Sequence, residues 1–127
     1  MKDATKGDFL AAINARGGAM VLITKAIMAK LLANHGADNP RPPLKLFTPD
    51  GGATWLISDI NPERPSMAFG LCDLGIGSPE LGYVDLDEIA TARGQFGLPI
   101  ERDRWFSPTK TLAEYADAAR AAGRIVA

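Results

Sequence analysis

Five carboxylates crowd one stretch of the chain, at Asp73, Glu80, Asp85, Asp87 and Glu88. Carboxylates at this density are what divalent-cation binding or general acid/base catalysis would use. Asp73 and Glu80 flank the run LGIGSP, so a strand, a loop and a second strand would have to bring them together. The group has neither the D-x-D-x-D-G spacing of a calcium loop nor the H-E-x-x-H spacing of a zinc helix. The competing reading is structural: Asp85 and Glu88 have the spacing of a capping box, and the others are solvated. A small metal-dependent enzyme acting through Asp73 and Glu80 is therefore the alternative, and the expectation is that no metal or cofactor is bound.

Other candidate groups weaken in the same way. Gly75, Gly77 and Ser78 suggest a phosphate cradle, but a third glycine and a helix directly after the loop are missing, and Pro79 removes a backbone donor. Cys72 as nucleophile with His35 as base would need two separate elements to meet. Cys72 reads more simply as a small packed residue, and His35 as a residue at a helix C-terminus. Among the aromatics, Trp55 and Tyr83 lie inside regular alternation and are expected in the core. Trp105 and Phe106 are consecutive in an extended stretch, so one is expected to face solvent beside Arg102 and Arg104. Arginine next to an exposed aromatic is the composition of binding hot spots. Asp73, Glu80, Arg102, Arg104, Trp105 and Phe106 are thus the candidate binding residues, with no catalytic residue assigned.

The elements that must position these groups are legible from turn chemistry. Between residues 44 and 84, runs of β-branched, aromatic and aliphatic residues are separated by TPDGG, NPERP and LGIGSPE, which predicts a four-stranded antiparallel meander. Its strands are expected at 44–48, 53–59, 66–73 and 81–84. In the third, Ala68, Gly70 and Cys72 make a small face on which a helix can lie. Asp8 is a candidate cap for a short helix over 9–16, and Thr24 for a second over 25–34. Asp85 with Glu88 predicts a helix through Arg93, and Thr111 with Glu114 a final one to Ala122, both closed by glycine. The two C-terminal helices are expected to cover one face of the sheet. Residues 95–110 fit either an edge strand or a loop over the core. Met20 opens the string MVLITKAIMAKLL, so residues 1–19 read as an extension that can be removed, and 20–127 as a single α+β domain.

Composition bounds the partners. The chain has 127 residues, 46% hydrophobic and 23% charged, average values for a globular domain. No apolar run approaches the roughly 20 residues of a membrane span. One cysteine and no secretory leader point to a cytoplasmic compartment. The net charge of −1 divides unevenly: +3 over residues 1–43, −6 over 44–90 and +2 over 91–127. A basic stripe is missing, so sequence-specific nucleic-acid binding is not expected; a nucleic-acid-binding protein using Arg102, Arg104, Lys110, Arg120 and Arg124 is the further alternative, and its binding would be weak and fall steeply with salt.

The strings KLFTPDGGATWLISDINPE, FGLCDLGIGSPELGYVDLDEI and GLPIERDRWF resemble a bacterial domain family of unknown function, the one numbered 2958. The likeness runs from about Leu22 to Arg124. It implies a small protein carried by plasmids, phages or integrative elements, and it brings no activity and no site residues with it. The expected role is a non-enzymatic protein-binding accessory of a mobile element, acting on a host defence or replication complex.

Overall fold

Cap chemistry sets the helices. Thr24 N-caps α2 (Lys25–Ala33), its hydroxyl accepting the Ile27 amide at 3.1 Å. Thr111 and Glu114 form a complete capping box at the start of α4 (Leu112–Ala122), which Gly123 ends in the left-handed conformation. The Thr111 backbone N–H and then its side chain hold the exposed Glu114 carboxyl below its ordinary pKa. That cap is therefore intact above the usual glutamate range and is lost as pH falls through the lowered value. Asp85 caps α3 (Leu86–Thr91) by accepting from the Asp87 and Glu88 amides. This helix stops before Arg93, because Ala92 is already extended and Arg93 bridges to Pro99.

The computed structural model describes residues 2–18 and 20–127, with side chains from Asp8 onward; Met1 and Ala19 of the expected extension lie outside the described residues. It is an α+β fold whose described residues form four helices and one antiparallel sheet. The sheet has five strands rather than four: β1 (Leu44–Phe47), β2 (Thr54–Asn61), β3 (Arg64–Asp73), β4 (Glu80–Asp85) and β5 (Glu101–Arg102). They stand in the order β4-β3-β2-β1-β5. The fifth strand comes from the stretch 95–110, where Glu101 and Arg102 pair with Phe47 and Leu46. NPERP interrupts less than expected. Asn61 Oδ1 accepts the Glu63 amide at 2.9 Å and closes a tight turn, so β3 begins at Arg64. Pro65 is tolerated there because β4 flanks β3 only from Met67 onward, and no partner on that side calls for its N–H.

β2 is buried on both faces, which overturns the expectation that the C-terminal helices share one side. Trp55 and Ile57, with Leu44 and Leu46 opposite them in β1, pack with Ile13 of the N-terminal helix, Met28 and Leu31 of α2, and Leu86 and Ile89 of α3. Leu56 and Leu71 point the other way and pack under Leu112, Tyr115, Ala116 and Ala119 of α4. The two C-terminal helices therefore lie on opposite faces. The small face of β3 lies on the helix side as expected, with Ala68 and Cys72 packed in the core shared with the N-terminal helix, α2 and α3. Gly70 on that face also serves the strands, since a Cβ there would stand 2.2 Å from the Leu56 carbonyl oxygen, where β2 bulges against β3.

The N-terminal helix α1 (Lys2–Arg16) is longer than expected and includes Asp8 instead of being capped by it. Ile13 is 0% exposed, with Phe9 and Leu10 packed against the same core. Asn14 exchanges two hydrogen bonds of 2.9 Å with the Ile23 backbone, and Arg16 pairs with Asp87 of α3 at 2.7 Å. These contacts tie α1 to the core, which sets the cost expected for removing residues 1–19.

Candidate functional site: the loop end of the sheet

Three connections meet at one end of the sheet, residues 48–53, 74–79 and 92–100. Asp50 ties two of them together. Its Oδ2 accepts the Phe96 amide at 2.7 Å and the Leu98 amide at 3.2 Å, which converts a hairpin turn into a latch on a distant loop. Gly94 is required by this arrangement, since a Cβ there would stand 1.6 Å from Asp50 Oδ1. On the other side the backbone of Gly52 lies against that of Gly75. Fastened in this way, the loops present Leu74, Ile76, Phe96 and Leu98 to solvent, with Ile76 76% and Phe96 77% exposed. Leu74 also forms part of the wall of a cavity of about 330 Å³ between α3 and the sheet, floored by Trp55 and rimmed by Asp85 and Glu88. Only the turn residues of PDGG are visible in the sequence; the amides that Asp50 serves are more than forty positions away.

The expected site residues do not assemble into one surface. Asp73 is 3% exposed and fully engaged: Oδ1 accepts the Gly75 amide at 2.8 Å and Oδ2 the Ile125 amide at 2.9 Å. It anchors the chain beyond α4 to the sheet. Glu80 is exposed, and it sits opposite Cys72 on the face of Trp55, whereas Asp73, one residue further along β3, points to the α4 face. The carboxylate pair needed by the metal-dependent alternative is thus split across the sheet. Arg102 hydrogen-bonds the Val21 carbonyl and so braces the connection into α2. Asp103 pairs with Lys45 at 3.4 Å and accepts the Trp105 amide at 2.9 Å, forming a turn that leaves Trp105 88% exposed while Phe106 packs against Tyr115. Trp105 and the exposed Arg104 stand by the β5 edge, with β1 and β2 between them and β3. Tyr83, expected in the core, is 74% exposed because β4 is an edge strand that lies outside the α4 cluster; its ring meets Phe69 edge-on.

The basic residues are also divided. Arg102 reaches the α2 side, while Lys110 lies over the Tyr115 ring and Arg120 pairs with Asp117 on α4.

Cys72 and His35 are not partners. His35 pairs with Asp59 at 3.3 Å, and Asp59 sits opposite Phe69, about 10 Å along β3 from Cys72 at the usual strand rise. Burial pushes the Cys72 thiol above its ordinary value, a hydrogen bond with the Trp55 side chain offsets part of this, and the Asp73 and Glu80 carboxylates push it further up. The thiolate is the reactive form, so alkylation of Cys72 by iodoacetamide is expected to lag behind a free cysteine and to accelerate only above about pH 8.5. A pH–rate profile on the folded protein checks this; a rate matching or exceeding free cysteine at pH 7 would mean that the thiol is activated after all.

No helix among the described residues is long and apolar enough to cross a membrane. The family model described as "Protein of unknown function (DUF2958)" matches residues 22–126. No curated protein and no solved structure matches the chain.

Proposed function

This chain belongs to the family of proteins of unknown function DUF2958, and from that premise and the geometry of the loop end we propose a non-enzymatic protein-binding role. The observation that carries it is the set Leu74, Ile76, Phe96 and Leu98. These apolar side chains are held in solvent by loops that Asp50 and the Gly52–Gly75 contact fasten to the sheet. Large apolar groups gathered on a rigid rim mark contact surfaces, and little ordering entropy remains to be lost on binding. An enzymatic reading loses its best pair when Asp73 turns inward, and its thiol nucleophile when His35 pairs with Asp59 instead of Cys72 and burial pushes the Cys72 thiol up. In the setting that the resemblance implies, the partner belongs to a host defence or replication complex met by a plasmid, phage or integrative element.

The test is capture from the native host with identification by mass spectrometry, using the wild-type chain, Ile76→Asp, Phe96→Asp and Arg104→Ala. Ile76 and Phe96 are exposed, so all variants should melt like wild type. Loss of a contact hot spot costs about 2 kcal/mol or more, and a partner retained by wild type and Arg104→Ala is expected to be lost by Ile76→Asp and Phe96→Asp. If only Arg104→Ala loses it, the surface lies at the β5 edge beside Trp105 instead.

A further inference from the structure

β4 is the feature that the fold leaves unused. Its outer side pairs with no strand among the described residues, whereas the opposite edge is the two-residue β5, too short to receive a long strand and followed at once by a turn. Free edges are commonly blunted by a proline or a bulge. β4 has neither, and its register with β3 runs unbroken from Met67↔Asp85 to Cys72↔Glu80. Gly82 stands in its middle. A Cβ there would meet nothing within 4 Å, and its φ is not among the positive values of the chain. Nothing among the described residues therefore asks for glycine at a position where glycine weakens a strand. Glycine in a strand interior otherwise marks the close approach of another backbone or a ligand.

Charge selects the occupant. Glu80 stands at one end of the edge, and Asp85 with Glu88 at the other. A second copy paired antiparallel in the register nearest full overlap that keeps matching faces, with Gly82 opposite Gly82, would bring the Glu80 end of each copy beside the Asp85 end of the other, acidic end against acidic end. We propose that β4 receives an extended segment of a protein partner as an added strand, with Lys or Arg at both ends of that segment and a side chain laid over Gly82. The inference rests on the protein-binding reading and specifies the partner's chemistry. Main-chain hydrogen bonds would give affinity, and the exposed Leu81 and Tyr83 with the acidic ends would give selectivity.

The probe is a synthetic peptide of about nine residues, alternating Val and Thr, with lysines at both ends, and a second with glutamates there. Titrated into isotope-labelled protein, the lysine peptide is expected to shift the backbone amides of residues 80–85 and slow their exchange, and to bind about tenfold more tightly than the glutamate peptide. Gly82→Val should melt at or above the wild-type temperature yet bind the lysine peptide weakly, and Glu80→Lys should narrow the preference between the two peptides. Equal binding of both peptides, or no change at 80–85, overturns the proposal. So does concentration-dependent dimerisation that protects β4, which would make a second copy the occupant. A captured partner lost by Ile76→Asp but held at full strength by Gly82→Val would leave the protein-binding reading standing and remove the added strand.

Discussion

A chain beginning at Met20 is expected to be insoluble or to melt far below the full chain. The reason is that α1 is a wall of the core and not an appendage. Ile13 is completely buried, Phe9 and Leu10 pack beside it, and the two Asn14 hydrogen bonds to Ile23 hold the entry to α2. Emptying the Ile13 position alone, as Ile13→Ala, should cost about 3 kcal/mol, or roughly 10 °C in melting temperature for a domain of this size. Removing the whole helix also exposes the apolar surfaces of α3 and the sheet that it covers. Thermal melts of the full chain, Ile13→Ala and the Met20-start chain form a graded series. Coincident melting of all three would place residues 1–19 outside the cooperative unit.

Asp73→Ala is expected to be the most damaging single change among the residues that looked functional. The carboxylate accepts two backbone amides, and the Ile125 amide is buried. Hydrogen bonds to a charged acceptor contribute about 1.5–3 kcal/mol each, and a buried donor left unpaired adds its own desolvation cost. A loss of about 4 kcal/mol follows, with exchange of the Ile125 amide accelerating first as the tail after α4 comes away from the sheet. Asp73→Asn should fall between, since one side of the amide still accepts while the other presents a donor to a donor. Urea denaturation read alongside amide exchange separates the cases. If Asp73→Ala is as stable as wild type and instead abolishes Mg²⁺ or Mn²⁺ binding measured by calorimetry, the carboxylate is a ligand and the structural role assigned to it is wrong.

These two residues show where local reading reaches its limit. Thr24, Asp85, Thr111 with Glu114, and Gly123 are caps that act within one turn of helix, so their residue types and spacing suffice to place α2, α3 and α4 to within a few positions. The turn runs TPDGG and LGIGSPE, with the alternation between them, likewise place the first four strands, because hairpin chemistry and the period of two are properties of neighbouring residues. Alternation names two faces of a strand but not what covers each. β2 is apolar on both, and only the three-dimensional arrangement sends α3 to one side and α4 to the other. Tyr83 has the same pattern as a core residue and is exposed because β4 is at the edge. Asp73 serves an amide 52 positions away and Asp50 serves amides 46 and 48 positions away. A carboxylate in a turn has the same appearance in sequence whether it meets water, a metal ion or a distant backbone. What the sequence determined was therefore every feature whose partners lie within a few residues. Tertiary structure decided which carboxylates were consumed internally, which apolar side chains were left in solvent, and which edge stayed open, since those depend on pairings between segments whose separation along the chain carries no local signal.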